Sequence, residues 1–563
     1  MQKGRLFRLL VCGSILSFAG CTGSVFTPSP ILTPSHFIEV DEVSGIPCDE
    51  TLPVIGDRFM PESMAGGCVL FDCDGDGDLD LYRLRFARDS NGVLECDAGA
   101  NRLYRQDGPW EFTDITESSN LGDRGYAMGA ASGDIDNDGD LDLYIGNLGA
   151  DRLYLNYGNG HFSDITSEAG IDVEGWSSSV LFVDVDRDGY LDLYITRYLA
   201  FNDKISGQDA AGRPEYLPPS RFKGLDDRLL RNNGDGTFTD ISAEAGISGH
   251  PGKGLGVVAT DLDGDGDIDL YVANDGEPNH AWINDGAGHF VESALTMGLA
   301  VNLFGQSEAG MGIAVGDLDG DGLDEIVVTH LVHETDTIYR SAAAGHYCDV
   351  TTTFGLAPAT IDFTGFGTAL VDTDQDGDLD LITVHGRVLR KSIRPGAAGG
   401  KYWEPYAEEN HLFLNDGTGK LHLEAAGIGH PSGRVEVSRG LAFGDLDGDG
   451  DPDLVIANAD GTIRLVRNIG ADGSWLWVLP FDPALNRCAI GAVVEVEAGG
   501  KTQRRRVGIG GSYLSCGDER VHFGLGSASK IEVIRVRWPD GTSEQFPVSQ
   551  VNQVVVLKKG EGA

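Results

Sequence analysis

Seven short acidic segments hold the residues of this chain best suited to chemistry. They are DCDGDGDLD from Asp72, DIDNDGDLD from Asp134, DVDRDGYLD from Asp184, DLDGDGDID from Asp261, DLDGDGLDE from Asp317, DTDQDGDLD from Asp372 and DLDGDGDPD from Asp445. Acids fall at positions 1, 3, 5 and 9 of each segment, position 6 is Gly throughout and position 2 is always uncharged. The candidate metal ligands are therefore Asp72, Asp74, Asp76 and Asp80 in the first loop, and Asp134, Asp136, Asp138 and Asp142 in the second. Asp184, Asp186, Asp188 and Asp192 follow in the third, with Asp261, Asp263, Asp265 and Asp269 in the fourth. The last three loops supply Asp317, Asp319, Asp321 and Glu325, then Asp372, Asp374, Asp376 and Asp380, then Asp445, Asp447, Asp449 and Asp453.

This spacing lets carboxylates converge, provided the chain turns sharply at position 6, where Gly accepts a positive φ without a Cβ clash. Position 7 varies among Asp, Tyr190 and Leu323, as expected if it offers only a backbone carbonyl. Oxygen ligands at such spacing suit a hard cation, and a flexible set of six to eight favours Ca²⁺ over Mg²⁺. Position 12 carries Ile145, Ile195 or Val272 instead of the Glu an EF-hand requires, so these are strand-borne loops. The plain alternative is a solvated acidic turn. Carboxylates gathered this closely repel by about 1 kcal/mol per pair in water, and seven repetitions of that cost favour metal binding. The fifth loop departs from the pattern, with Asp324 inserted before Glu325 at position 9. Up to seven Ca²⁺ ions are expected, mainly as structural fasteners.

The loops need elements to position them. Each is entered by a short apolar strand (VLFVDVDRDG, LAFGDLDGDG) and left by another (LDLYIGN, IDLYVAN). A third strand such as RLYLN or RLLRN leads through an Asn/Gly turn to a fourth with the tail HFSDITSEAGI or TFTDISAEAGI. Alternating apolar residues between such turns predict a four-stranded β-meander. Repeats at intervals of 50 to 77 residues predict an all-β, seven-bladed β-propeller over residues 36–468. The seventh copy lacks its tail, whereas HFIEVDEVSGI at 36–46 matches that tail in length and pattern. The N-terminal strand 36–46 is therefore expected to close the ring from the other end of the chain.

Residues 475–558 alternate as strands (AVVEVEA, IEVIRVRW, QVVVLKK) and predict a second, smaller all-β domain. The net charge of the 563-residue chain is -46, yet residues 475–563 hold 11 Lys/Arg against 9 Asp/Glu. The acidity thus belongs to the repeats, which argues against a nucleic-acid partner. Arg504, Arg505 and Arg506 touch an anionic partner, form a solvated strand edge or contact the acidic repeats.

At the N-terminus, Lys3, Arg5 and Arg8 precede the apolar run Leu9–Ala19 and Gly20-Cys21. This reads as a secretory signal over residues 1–21. FAGC resembles a bacterial lipobox, which would place a lipid on Cys21; cleavage and release is the alternative. Residues 22–35 form a Pro/Ser tether. The expected location is the bacterial outer membrane or cell surface as a lipoprotein, or otherwise the medium. The membrane is touched only through the anchor. Seven cysteines remain, and an oxidising compartment predicts disulfides. Cys488 with Cys516 is one plausible pair, Cys48, Cys68, Cys73 and Cys96 allow three pairings, and Cys348 is left over.

The D-x-D-x-D-G-x-x-D loops, the GFGTALVD and LAFGD approaches and the N-x-G-x-G-x-F turns resemble FG-GAP (VCBS) repeats, the blade units of integrin α-subunits. NRCAIGAVVEVEAGG, GIGGSYLSCGDERVHFGLG and IEVIRVRWPDGTSEQF resemble the ASPIC/UnbV domain. Together they make the chain similar to the cartilage acidic protein family. That resemblance implies calcium binding and an extracellular interaction role, with no established reaction.

Because the acidic loop joins strands one and two, the connection from strand two to strand three must emerge on the opposite face. The extra length falls there, near 86–100, 198–226 and 386–409, with aromatics in EYLPPSRF and KYWEPYAEEN. Five residues past each ninth position stand Arg85, Asn147, Arg197, Asn274, His330, His385 and Asn458. Arg197, His330 and His385 are candidate ligand contacts; capping of strand ends is the alternative role. The leading function is an extracellular binding or adhesion module for a protein or glycan. The alternative is a lyase-type polysaccharide enzyme with His330 or His385 as base and Arg197 on a uronate carboxylate. H-E-x-x-H, G-x-S-x-G and phosphate-loop motifs are absent from the sequence.

Overall fold

The computed structural model describes residues 37–563, apart from 344, 426–428, 471–472 and 509–510. The signal, the tether and Cys21 lie outside the described residues. Alternating apolar strands and Gly-rich turns fold into seven four-stranded antiparallel units, five of them separate sheets and two, the second and third, joined into one eight-stranded sheet where Glu174–Trp176 pairs with Leu148–Ala150. The second shows the pattern: Ala127–Gly133, Asp142–Ala150, Arg152–Asn156 and Phe162–Asp164, in spatial order. Its first strand is small and buried along its whole length (AMGAASG). A Cβ on Gly129 would stand 2.3 Å from the Ser178 carbonyl oxygen, so Gly there permits the close approach of the next sheet.

The first strands of the seven sheets are Cys68–Phe71, Ala127–Gly133, Glu174–Val183, Gly254–Thr260, Ile313–Gly316, Gly365–Val371 and Ser438–Gly444. Each packs against the next, and Ser438–Gly444 packs against Cys68–Phe71. The seventh sheet takes its fourth strand from the other end of the chain: Phe37–Glu39 pairs antiparallel with Ile463–Asn468, Phe37 opposite Asn468. Only three of the eleven residues 36–46 are strand. The following turn is held by Asp41, which accepts from the Leu465 N–H (2.8 Å) and pairs with Arg464 at 3.2 Å.

The C-terminal residues form two further four-stranded sheets around Leu476, Val478, Val494, Val496, Phe523, Ile534 and Trp538. One is built on Ser474–Asp482, the other on Val493–Ala498. Between Lys501–Arg506 and Val521–Gly526 the chain leaves this domain and runs among the first strands of the repeat sheets. Gly511 donates to the Val257 carbonyl (3.0 Å) and the Ser512 hydroxyl to the Leu441 carbonyl (2.9 Å). Cys516 exchanges backbone bonds with Cys68 and Leu70, both 3.0 Å. Tyr513 is fully buried, and its hydroxyl donates to the Met64 carbonyl at 2.7 Å. Residues 511–516 thus spend on the repeat sheets the hydrogen bonds that any buried loop must satisfy.

All seven described cysteines are free, which corrects the expectation of disulfides. The physical reason is this excursion: Cys516 packs with Val69 and Phe71 in the repeat core, whereas Cys488 packs with Val494 and Phe523 in the C-terminal core. Cys48 lies beside Ser44 (3.9 Å), Cys96 beside the Ala87 carbonyl (3.5 Å) and Cys348 on the surface. Among the described residues no helix is long and apolar enough to cross a membrane.

Candidate metal centres

Each acidic loop joins the first and second strands of its sheet. Position 6 has positive φ in all seven, from 87° at Gly322 to 100° at Gly139. Position 4 does as well, including Asn137 (62°), Arg187 (60°) and Gln375 (58°). That second requirement is written in the sequence only as Gly at four of seven positions. With both turns in place, the first carboxylate accepts from the position-6 N–H, as in Gly139 to Asp134 (3.0 Å) and Gly377 to Asp372 (2.8 Å). The ninth carboxylate accepts from the position-2 N–H in every loop, between 2.7 Å at Asp269 and 3.1 Å at Asp192. Glu325 follows the same rule, accepting from Leu318 at 2.8 Å, so the extra Asp324 leaves the register intact.

Carboxylate oxygens of positions 1, 3 and 9 lie within 4.8 Å of one another in the first, second, third and fifth loops, as do those of Asp261, Asp263 and Asp265 in the fourth. Buried Oδ1 atoms of Asp74, Asp184 and Asp317 have no hydrogen-bond partner. Burial, joined by neighbouring carboxylates, pushes Asp134 up to about 6, Asp80 to about 7 and Asp192 and Glu325 to about 8. Converging carboxylates that resist ionisation and leave buried oxygens unpaired fit a divalent cation bound by oxygen. The donor set suits Ca²⁺. When bound, it would supply the positive charge that lets these acids ionise.

A second set of residues locks the loops together, and their repetition as the last letter of RLYLN, RLLRN, HAWIN, HLFLN and RLVRN was the available signal. Asn156 donates to the Cys73 carbonyl (3.0 Å), Asn232 to Ile135 (2.8 Å) and Asn284 to Val185 (2.8 Å). Asn415 donates to Leu318 (2.8 Å) and Asn468 to Thr373 (2.9 Å). Each links its own sheet to position 2 of the preceding loop. Gln106 takes this place in the first sheet and donates to Leu446 of the seventh loop at 2.8 Å. In the fifth sheet Ser341 stands at the Asn position, and the Tyr347 hydroxyl reaches the Leu262 carbonyl (3.1 Å).

The C-terminal domain rests on this same loop face. Arg487 donates to Asn137 Oδ1 (3.0 Å) and the Gly189 carbonyl (3.1 Å) and lies 3.8 Å from Asp184. Arg537 lies 3.8 Å from Asp261, Arg504 donates to the Gly322 carbonyl (2.9 Å), and Lys501 pairs with Asp378. Trp477 Nε1 donates to the Gly450 carbonyl at 3.0 Å. Of the three roles open to Arg504–Arg506, contact with the acidic repeats is the one observed, Arg504 lying 3.5 Å and Arg506 4.0 Å from Asp324.

On the strand two to three side, the insertions meet around a segment that carried no signal in the sequence. The Arg58 guanidinium lies 3.5 Å from the Tyr402 ring centre and donates to its carbonyl (3.0 Å). Tyr216 and Tyr406 pack edge to face at 5.3 Å, and Tyr406 donates to Glu215 (2.6 Å). The Tyr402 hydroxyl reaches Glu62 at 2.7 Å. Arg197, His330 and His385 are buried, 8%, 1% and 0% exposed. Arg197 bonds the Glu174 carbonyl, His330 Nδ1 sits 3.0 Å from the Thr335 carbonyl, and His385 packs against His411 with ring centres 4.5 Å apart. Burial pushes His330 down to about 4, and burial, helped by His411, holds His385 well below its ordinary value. Their siblings hold strand ends: Asn147 donates to Ala150 (3.0 Å) and Asn274 to Pro278 (2.8 Å).

Comparison with known proteins agrees with the repeats. The ASPIC and UnbV description matches residues 482–563. The FG-GAP-like repeat matches residues 72–145, 134–195, 220–272, 261–328 and 402–456. Cartilage acidic protein 1 of Mus musculus is 27% identical over 333 residues, covering 56% of this chain and 47% of the relative; the Homo sapiens protein gives 27%, 56% and 46%. The match therefore spans less than half the length of these relatives. Among solved structures, an Agrocybe aegerita lectin described as recognising non-reducing terminal N-acetylglucosamine aligns over 78% of this chain and 94% of its own, with TM-score 0.36 and 16% identity. PorZ of Porphyromonas gingivalis, a surface component of the type-IX secretion system, aligns over 90% and 61%, with TM-score 0.40 and 13% identity. With repeat matches covering half of its length and a matching C-terminal domain, the chain belongs to the FG-GAP-like repeat family.

Proposed function

We propose that this chain is an exported, calcium-stabilised, seven-bladed β-propeller that binds an extracellular protein or glycan through its insertion face. The observation that carries the reading is the division of labour between the two faces. The acidic loops are occupied by inter-sheet bonds and by the C-terminal domain, whereas on the other side two insertions, 198–226 and 386–409, pack their aromatics around Arg58, and Arg88 of 86–100 joins them through Glu62. Loops held by a rigid scaffold are where recognition concentrates. Closure of the ring is supported by the antiparallel pairing of Phe37–Glu39 with Ile463–Asn468 and by the Gln106 bond to Leu446. Up to seven Ca²⁺ ions fasten neighbouring blades. Arg197, His330 and His385 underlie the binding surface. A lipid on Cys21 would hold the protein at the bacterial surface.

The test is a glycan and surface-protein binding screen of residues 22–563 in calcium and in chelator. Calcium-dependent binding that is lost when 386–409 is replaced by a short turn supports the reading. Binding that survives that replacement places the site elsewhere. Turnover of an acidic polysaccharide, abolished in His330→Ala or His385→Ala, would favour the enzyme.

A further inference from the structure

In the fifth and seventh acidic loops an arginine of the chain itself holds carboxylate oxygens that the backbone leaves over. In the fifth loop Asp319 Oδ1 accepts from the Asp321 N–H (3.3 Å), Asp321 Oδ1 from Leu323 (2.9 Å) and Glu325 Oε2 from Leu318 (2.8 Å). At positions 3, 5 and 9 the remaining oxygens are therefore Asp319 Oδ2, Asp321 Oδ2 and Glu325 Oε1. Arg340 faces all three: its Nη2 lies 2.8 Å from each Asp oxygen and its Nε 3.8 Å from Glu325 Oε1. In the seventh loop Asp447 and Asp449 likewise accept backbone N–H groups through Oδ1. Arg467 lies 2.6 Å from Asp447 Oδ2 and 3.0 Å from Asp449 Oδ2.

Each of these arginines directly precedes the Asn position of its third strand, held here by Ser341 and Asn468. Leu155, Ile283 and Leu414 stand at that place in the second, fourth and sixth sheets. In the first sheet Arg105 turns to Asp107 (2.6 Å), and in the third loop the arginine that pairs is Arg487, 3.8 Å from Asp184.

We propose that Arg340 and Arg467 are resident cations of the fifth and seventh loops, so that calcium enters these two only by displacing a guanidinium and binds them more weakly than the others. The proposal rests on the reading that the loops take calcium. A guanidinium shared between two carboxylates makes charge-assisted bonds, and it relieves in the metal-free loop a repulsion that a bound cation relieves elsewhere. The two side chains are 38% and 35% exposed, so each can swing into solvent when displaced. The seventh loop joins the last repeat sheet to the first, where Leu446 accepts from Gln106 and Asp447 from Trp110 Nε1, both at 2.8 Å. The fifth carries Asp324, the partner of Arg504 and Arg506 in the C-terminal domain. With a cation built in, both junctions hold when calcium is scarce.

Calcium titration of the full chain by isothermal calorimetry should resolve two weak ions from the tighter ones. Arg340→Leu and Arg467→Leu, which copy the residue of the second and sixth sheets, should each move one ion into the tight class. The gain for that ion should be about tenfold or more, since one charge-assisted bond is worth at least that factor. Urea unfolding gives a second readout: each variant should lower the midpoint in chelator and regain it in saturating calcium, whereas an arginine that only packs would be missed equally in both. Equivalent ions in wild type, an unchanged number of weak ions in both variants, or equal destabilisation in both media overturns the inference and leaves the calcium reading standing. A wild type that binds no calcium at any loop refutes the calcium reading, and this inference with it.

Discussion

Asp192→Asn separates the metal from the fold. Asp192 is fully buried and accepts from the Val185 N–H (3.1 Å) and the Asn232 N–H (2.9 Å). Burial holds its carboxyl up to about 8, so without metal at pH 7 the side chain is largely neutral and an amide of the same shape replaces it closely. The amide can accept from only one of the two N–H groups. Losing the other costs about 1–3 kcal/mol, offset in part because no charge need be buried. With calcium at a hundredfold excess over its Kd, the wild-type site contributes about 2.7 kcal/mol that the amide cannot recover. The difference between the two destabilisations, read from urea unfolding in calcium and in chelator, should therefore be about 3 kcal/mol, the size of one saturated site. Equal destabilisation in both media would refute a metal at this loop.

The raised carboxylates also set a pH dependence. Asp192 and Glu325 titrate near 8 when folded and near 4 when unfolded, so the metal-free native state binds more protons across that window. Stability in chelator should fall as pH rises from about 5 to 8, and Asp192→Asn should flatten the slope. Asn284→Ala leaves the Val185 and Ile268 carbonyls unbonded (2.8 and 3.0 Å) and should cost about 2–4 kcal/mol in urea unfolding. Tyr513→Phe removes only the bond to Met64 and should cost about 1–2 kcal/mol, whereas exposed Tyr157→Phe should be silent. Deleting 36–46 should lower the melting temperature sharply, and an unchanged melt would remove the closure of the ring.

The acidic loops were legible because a metal site of this kind is local: nine consecutive residues carry the candidate ligands and the turn that gathers them. The Gly at position 6 could be read as positive φ because its reason lies within the loop. Position 4 was hidden, since Arg187 and Gln375 adopt the same φ against their own preference, and Asn137 tolerates it more readily. The Asn at the end of the third strand was visible as a repeated letter. Its purpose was not, because its partner carbonyl lies 83 to 99 residues away in another sheet.

Sequence alone determined the repeat unit, the number of copies, the chemistry of the loops and the pairing of Phe37–Glu39 with the last sheet. These follow from residue types at short, repeated intervals. Only tertiary structure decided that residues 511–516 run among the repeat sheets, that Arg487, Arg504 and Arg537 stand on the acidic loops and that Cys488 and Cys516 lie in different cores. It also buried Arg197, His330 and His385 and gathered an aromatic layer around Arg58. The physical reason is common to all of these. A strand period or a ligand spacing is written along the chain, whereas docking depends on which distant surfaces complement each other in shape and charge.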